Sequence, residues 1–219
     1  MSTREALTTF MRELYDCRAC ALDNDPLGHA IPPHGPIFER RTEILLVGWN
    51  PQLQGTEAKP DFQTWCSRGA AALNPAAAPF RALVGRLLPS GYTLDDGRVA
   101  NTRVWKWPTT TKKAADRECA IRCADTHLWR EVQVLQPRLL ITYDKDAADF
   151  FLQRARHFGV PVETPDRAMT SAIRGWSTSN AAWGWPLAIL AVTGIRAKNA
   201  AQVEFIKRKG SELLLPTKP

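Results

Sequence analysis

Short, densely apolar segments recur along the chain and predict buried β-strands. The clearest are 44–47, 139–143 and 187–192, where apolar residues follow one another almost without interruption. Such runs are typical of strands in a parallel sheet, which is covered on both faces. A further strand is predicted over 99–105.

Between these strands, apolar residues recur every three or four positions, which is typical of amphipathic helices. Helices are predicted over 2–17, 77–88, 114–135 and 195–214, and after the capping residue Asp144. Pro, Gly and polar residues predict loops over 23–36 and 52–74. The segment 159–186 has little periodicity of either kind.

The alternation of strands and helices predicts the fold class. We expect an α/β protein: a three-layer α/β/α sandwich around a central, mainly parallel four-stranded sheet, in a single domain over 1–219. In such sheets the active site lies outside the carboxyl ends of the strands. Functional residues are therefore expected in four segments, namely 50–52, 101–107, 143–144 and 193–199.

Composition and charge narrow the classes of protein. The 219 residues include 29 Lys and Arg against 22 Asp and Glu, which gives a formal net charge of +7. The hydrophobic fraction of 44% is that of an ordinary globular protein and argues against a disordered or fibrous chain. No apolar run approaches the roughly 20 residues of a membrane span. Residues 1–10 lack the apolar core of a signal peptide, so a cytoplasmic protein is expected. The charge and eight Trp favour a nucleic acid partner, with a generically basic enzyme as the alternative.

Five cysteines are spaced in a way that suggests a metal site. Cys17 and Cys20 form a C-x2-C pair, while Cys119 and Cys123 lie one helical turn apart. Two close pairs far apart in sequence are a usual arrangement of ligands for zinc or an iron–sulfur cluster. Alternatively, Cys119 and Cys123 are small buried side chains on an amphipathic helix.

Four motifs follow one another in order. The first is a helix that ends in C-x2-C-x-L at 17–22, and the second is a buried strand that enters a G-x-x-P turn at 48–51. The third is a strand that carries Asn and Lys ahead of a Pro, at 101–108. The fourth, at 123–141, is a helix with a Cys near its start that ends at a Pro before a strand. In this order the chain resembles the uracil-DNA glycosylase superfamily, and most closely its family 4 branch.

The resemblance covers about residues 12–155 and, more weakly, 187–206, and it implies roles for particular residues. The turn at 48–52 is closest to the G-M-N-P-G turn of the single-strand-selective and mismatch-specific branches, in which the Asn positions the attacking water. The resemblance therefore implies that Asn50 is catalytic and that Gln52 contacts the substrate. An amide can orient water, but it cannot act as a strong base.

Two other positions depart from the family's pattern. The H-P-S motif after the last strand, whose His stabilises charge on the departing base, is absent, and Thr193 stands in the corresponding catalytic position. The base-reading Asn corresponds to Asn101, which is two residues too far from Lys106. Either a bulge restores the register or Asn101 does not read the base. Contacts to DNA phosphates are expected from Lys112, Lys113, Arg196, Lys198 and Asn199.

The family's metal cluster is incomplete at its usual positions. Trp107 stands where the third cysteine of the 4Fe–4S site is expected. In one interpretation Cys119 substitutes, and the ligands of a 4Fe–4S cluster or a zinc ion are Cys17, Cys20, Cys119 and Cys123. In the other, no metal is bound.

The aromatic side chain that stacks on an extruded base is expected in the loop after the G-x-x-P turn. Phe62 and Trp65 are the candidates, since a flipped base needs a flat apolar surface. In the same loop, Asp61 either supplies the carboxylate that Asn50 lacks or is an ordinary surface charge.

Together these features predict a monomeric, monofunctional DNA glycosylase that extrudes uracil or a modified pyrimidine and leaves an abasic site. One alternative is an anti-phage defence glycosylase that removes a modified phage base such as a modified cytosine. A second is a non-catalytic DNA-binding or damage-recognition module on the same fold. A third is a metal-stabilised α/β enzyme unrelated to DNA.

Overall fold

Strands and helices alternate along the chain in the computed structural model. It describes residues 3–17, 33, 41–49, 60–71, 78–95, 97–104, 114–179, 182–193 and 200–215. The helices are α1 Thr3–Asp16, α2 Phe62–Ala71, α3 Ala78–Gly85, α4 Ala114–Cys123, α5 Trp129–Leu135, α6 Lys145–His157 and α7 Ala200–Leu214. The strands are β1 Ile44–Gly48, β2 Val99–Arg103, β3 Leu139–Thr142, β4 Ile173–Ser179 and β5 Leu187–Val192.

The strands form one mostly parallel sheet with the order β2-β1-β3-β5-β4. Strand β1 pairs in parallel with β2 and β3, and β3 pairs in parallel with β5. Every residue of β1, β3 and β5 is buried, as expected for strands covered on both faces. The predicted α/β fold with a mainly parallel central sheet is confirmed.

The described residues form five strands rather than the predicted four. The additional strand, β4, lies within 159–186 and pairs antiparallel with β5 at the edge of the sheet. A register shift interrupts this pairing between Ile173 and Gly175, and the polar residue Ser177 is buried. Because a bulge breaks the alternation of inward and outward side chains, the sequence pattern does not reveal this strand.

Helix α2 lies in the segment 52–74, which was predicted to be a loop. Asp61 caps this helix, because its carboxylate accepts hydrogen bonds from the backbone nitrogen and Oγ1 of Thr64 at 3.0 and 2.6 Å. These bonds lower the pKa of Asp61. Its carboxylate therefore has a structural role at the start of the helix.

The predicted helix over 114–135 forms with one irregularity. Helices α4 and α5 are joined by a π-helical turn at Ala124–Leu128, in which His127 is buried. A π-helical turn inserts one extra residue into the helical repeat and is often found near functional sites. The side chains after it are therefore rotated relative to an uninterrupted helix.

Buried side chains form separate clusters on the two faces of the sheet. On one face, Leu45, Val47 and Leu140 pack with side chains of α1, α5 and α6. On the other face, Leu46 and Ile141 pack with side chains of α3 and α7. Apolar helix surfaces therefore cover both faces. None of the helices in the described ranges combines the length and the apolar character needed to cross a membrane.

The end of α5 allows a test of the backbone geometry. Gln136 follows α5 with φ 44° and ψ 54°, a left-handed conformation, whereas Gln133 is exposed within the helix. Glycine adopts the left-handed region without the side-chain conflict of other residues. We expect Gln136→Gly to raise the free energy of unfolding by about 0.5 kcal/mol. The matched variant Gln133→Gly should lower it by up to about 1 kcal/mol. Urea unfolding of both variants measures these changes, and two changes of the same sign would contradict the assigned helix end.

Candidate functional site

Polar and charged side chains gather at the carboxyl ends of β1, β2 and β3. Strand β1 has β2 on one side and β3 on the other. The chain that leaves β1 continues to β2, whereas the chain that leaves β3 continues to β4 and β5 on the opposite side of the sheet. Ligands of open α/β sheets bind at such a switch point. We call the four side chains that meet here the carboxyl-edge cluster, which consists of Asn101, Arg103, Tyr143 and Asp144.

Asn101 lies at the centre of the cluster and is only 2% exposed. Its Oδ1 accepts a hydrogen bond from Nη1 of Arg103 at 2.9 Å and another from the hydroxyl of Tyr143 at 3.2 Å. Strand β2 pairs regularly with β1 from Val99 to Arg103, so within this strand no bulge shifts the register. Alternation along β2 places Asn101 and Arg103 on the same face.

Arg103 brings a positive charge into this partly buried site. Its Nη1 also donates to the carbonyl oxygen of Thr102 at 3.0 Å, and its guanidinium carbon lies 5.1 Å from the ring centre of Tyr143. Burial lowers the pKa of Arg103 to about 10, and the carboxylate of Asp144 opposes that shift. The guanidinium therefore remains charged at neutral pH.

Asp144 links the end of β1 to the start of α6. Its Oδ2 accepts a hydrogen bond from the backbone nitrogen of Trp49 at 2.6 Å, and its Oδ1 accepts one from the backbone nitrogen of Ala147 at 2.8 Å. Burial raises the pKa of Asp144, while these hydrogen bonds and Arg103 act in the opposite direction. The carboxylate thereby fixes the backbone of the residue that immediately precedes Asn50.

Tyr143 packs directly against the backbone at the end of β1. A Cβ atom on Gly48 would lie 2.6 Å from Cε2 of Tyr143, a distance at which one of the two residues must move. Glycine at this position therefore allows the Tyr143 hydroxyl to reach Asn101. The first glycine of the G-x-x-P turn has a steric role in the cluster.

Several predicted site residues lie outside the described residues. They are Cys20, Asn50, Gln52, Lys112, Lys113, Arg196, Lys198 and Asn199. Asn50 nevertheless follows Trp49 directly in the sequence, and the backbone of Trp49 is held by Asp144.

Thr193 follows β5, and its hydroxyl is already engaged. Its Oγ1 donates to the carbonyl oxygen of Ser171 at 2.8 Å. Its backbone nitrogen donates to the carbonyl oxygen of Ala172 at 2.9 Å. A hydroxyl carries one proton. In this arrangement Thr193 can accept a hydrogen bond from a substrate but has no proton left to donate to a departing base.

The two aromatic candidates for stacking pack on each other rather than on an open surface. Trp65 is 1% exposed and lies edge-on to Tyr15 at 5.4 Å. Phe62 is half-buried, with the guanidinium carbon of Arg12 at 3.9 Å from its ring centre. Trp65 therefore belongs to the core in this structure, and a base could stack on the covered face of Phe62 only if Arg12 moved.

The described cysteines do not assemble a metal site. Sγ of Cys17 lies 3.0 Å from Nε2 of His127, while Cys123 is buried and Cys119 half-buried against the core. In the described part of the chain, no group of three or more His, Cys, Asp or Glu side chains could hold a metal ion. These residues therefore do not fit a 4Fe–4S cluster or a zinc ion by themselves. Cys20, the fourth predicted ligand, lies outside the described residues, so the metal site on the four cysteines stays a prediction.

Sequence reasoning identified the region of the cluster but not all of its members. The carboxyl-end rule selected 101–107 and 143–144, and the family resemblance selected Asn101. Neither the rule nor the resemblance indicated that Arg103 and Tyr143 both contact the Asn101 amide. The contact with Tyr143 joins residues 42 positions apart in the sequence. The contact between Cys17 and His127 was likewise missed, and 110 positions separate these residues.

No known protein-family model matches this chain, and no curated protein matches it significantly. Function is therefore inferred from the sequence motifs and from the geometry of the carboxyl-edge cluster.

The raised pKa of Asp144 predicts a particular dependence of stability on pH. Because its folded-state pKa lies above the ordinary carboxyl value of 3.8, the folded state favours the protonated form. Its contribution to stability is fully present below pH 3.8 and is lost as the pH rises through the raised pKa. Asp144→Asn, which also caps helices well, should remove this decline.

Urea unfolding at closely spaced pH values measures the effect. Asp166→Asn, in an exposed segment, is the matched control and should leave the decline in place. A variant at Asp144 with an unchanged pH profile would contradict the assignment of a perturbed carboxyl group.

Proposed function

We propose that this protein is a DNA glycosylase that hydrolyses the N-glycosidic bond of a non-canonical base, uracil or a modified pyrimidine, and leaves an abasic site. The observation that carries the proposal is the buried amide of Asn101, held by Arg103 and Tyr143 at the carboxyl edge of the sheet. This edge also carries the turn that leads into Asn50.

An amide held in one orientation is suited to reading a base. Enzymes that act on a base within DNA extrude it into a pocket and recognise its pairing edge through hydrogen bonds. Such recognition needs donors and acceptors whose positions are fixed before the base arrives. Asn101 meets this requirement because charged and aromatic neighbours on β2 and after β3 hold it.

Hydrolysis requires a water molecule placed against the sugar carbon. In the proposed mechanism the side-chain oxygen of Asn50 holds that water as the glycosidic bond breaks and positive charge develops on the sugar. Asp144 is a positioning residue, because it binds the backbone nitrogen of Trp49 and so fixes the start of this turn.

Contacts to DNA would come from polar and basic residues that follow β2 and β5 in the sequence. Lys112, Lys113, Arg196, Lys198 and Asn199 are proposed to hold phosphates, and the net charge of +7 is consistent with a polyanionic partner. The apolar clusters on both faces of the sheet support a three-layer α/β/α arrangement. Phe62 is proposed to stack on the base once Arg12 moves from its ring.

A second candidate is a defence glycosylase for a modified phage base, such as a modified cytosine. It is motivated by the departures from the family pattern, the missing His and Pro after β5 and Trp107 in place of a cysteine. The missing His also motivates a third candidate, a non-catalytic DNA-binding module on the same fold.

Base release from defined DNA substrates tests the proposal. Oligonucleotides carrying uracil, hypoxanthine, hydroxymethylcytosine or glucosylated cytosine, together with modified phage DNA, are incubated with the protein and then treated with alkali to cleave abasic sites. We expect strand breaks with at least one substrate. Asn50→Ala should lower the rate at least about 100-fold because the water is no longer positioned.

Gln153→Ala is the matched control, since Gln153 is exposed on α6, and it should retain full activity. DNA binding without strand breaks on any substrate would instead support the non-catalytic module. A fully active Asn50→Ala variant would exclude the proposed role of this amide.

A further inference from the structure

The proposed reaction gives the departing base a negative charge. When the glycosidic bond breaks, both bonding electrons leave with the base nitrogen, and the sugar carbon gains positive character. Water then adds to that carbon, and the proton that the water loses neutralises the base anion. A positive charge fixed beside the base lowers the barrier, because it meets the negative charge as that charge develops.

Neither Thr193 nor a His side chain within the described residues is placed to assist the base. Thr193 has already donated its hydroxyl proton to a backbone carbonyl. His127 is buried and contacts Cys17. His157 is exposed at the far end of α6, about 18 Å along this helix from its first residue. The carboxyl edge of the sheet holds a different cation, Arg103.

Arg103 lies beside the turn that carries Asn50. It is the last residue of β2, and strand pairing sets it opposite Gly48, the first residue of that turn. Neighbouring strands are about 4.8 Å apart, so the backbone of Arg103 and the start of the turn are direct neighbours. The Arg103 side chain is half-buried rather than enclosed in the core. A ligand at the switch point can therefore approach this cation and the turn together.

The guanidinium of Arg103 is held in place before any substrate binds. Its Nη1 donates to Oδ1 of Asn101 at 2.9 Å and to the carbonyl oxygen of Thr102 at 3.0 Å. The ring centre of Tyr143 lies 5.1 Å from its central carbon. A charge fixed in this way needs no reorganisation when the bond breaks, which is the condition for strong electrostatic stabilisation.

The neighbouring carboxylate maintains the charge of Arg103. Burial lowers the pKa of Arg103 only to about 10, and Asp144 opposes that shift, so the guanidinium stays protonated at neutral pH. Both oxygens of Asp144 accept hydrogen bonds from backbone nitrogens, those of Trp49 and Ala147. The negative charge is thus directed to the start of α6, where the helix end is positive. The positive charge of Arg103 remains effective at the carboxyl edge.

We propose that Arg103 supplies the positive charge that stabilises the departing base anion. The inference rests on the proposed function and assigns to a guanidinium on β2 the task that the resemblance gives to a His after β5. In a partly buried site a charge is weakly screened, so Arg103 acts without transferring a proton. It favours bases that leave as anions, because a nearby cation opposes protonation of the base.

Three substitutions separate the charge of Arg103 from its hydrogen bond. Arg103→Gln keeps an N–H donor for Asn101 without a charge, Arg103→Lys keeps a charge, and Arg103→Met keeps neither. We expect kcat/KM to fall at least about 100-fold in Arg103→Gln and Arg103→Met, and less than about 10-fold in Arg103→Lys. Arg156→Met removes an exposed charge near the end of α6, and this control should leave kcat/KM unchanged.

The dependence on the leaving base shows whether the charge acts on that base. The kcat/KM values are measured on one oligonucleotide sequence carrying uracil or 5-fluorouracil, since fluorine is close in size to hydrogen but stabilises the base anion. A more stable anion needs less assistance, so the 5-fluorouracil-to-uracil ratio should rise at least about threefold in Arg103→Met and Arg103→Gln. A purely structural role for Arg103 would lower activity on both bases equally, without changing the ratio.

Two results with folded variants would overturn the inference and leave glycosylase activity intact. The first is full activity of Arg103→Gln, because a neutral donor would then suffice. The second is an unchanged ratio in Arg103→Met. If the protein excises only a modified cytosine, the three variants are compared on that base, and equal activities of Arg103→Gln and Arg103→Lys would overturn the inference.

The unmodified protein provides a test that does not depend on the folding of a variant. Its 5-fluorouracil-to-uracil ratio should be smaller than the ratio for spontaneous hydrolysis of the same two nucleotides, because an assisted base depends less on the stability of its own anion. Equal ratios would overturn the inference. The absence of excision from every substrate would overturn the proposed function together with the inference.

Discussion

The constraint on which the carboxyl edge of the sheet depends is the partial burial of the positive charge of Arg103. Removing a guanidinium from water is costly unless acceptors and counter-charge replace the lost hydration. Here Asn101 and the backbone of Thr102 supply acceptors, Tyr143 supplies an aromatic face, and Asp144 supplies negative charge. These groups come from β2 and from the residues that directly follow β3, on either side of β1, so the charge is stabilised only when the sheet has formed in register.

The two charges of the cluster depend on each other as well as on the backbone. Burial shifts the pKa of Arg103 downward and that of Asp144 upward, toward the neutral forms, while their mutual attraction opposes both shifts. Asp144 also holds the backbone of Trp49 and caps α6. The geometry of the turn into Asn50 is thereby coupled to the charge on Arg103 as well as to that on Asp144, because a change in either charge alters the field at the other.

Features set by local sequence could be predicted, and features set by distant contacts could not. Strand β1 was evident from Ile44 to Val47 because burial on both faces requires a continuous apolar run. Strand β4 was missed because a bulge at Ile173–Gly175 disrupts its alternation. The motif selected Asn101, but its contact with Tyr143 depends on how strands far apart in sequence align. Trp65 was expected to stack on an extruded base, but it packs into the core, and its largely polar sequence neighbourhood gives no sign of that packing.

The departures from the family pattern acquire a physical interpretation when the cluster and Thr193 are considered together. In the superfamily that the chain resembles, an Asn reads the base and a separate His stabilises the charge that develops as the base departs. Here the imidazole is missing, and the hydroxyl proton of Thr193 is already donated to Ser171. On the proposed function, charge on the departing base must therefore be met by a group other than Thr193, because that hydroxyl can only accept a further hydrogen bond.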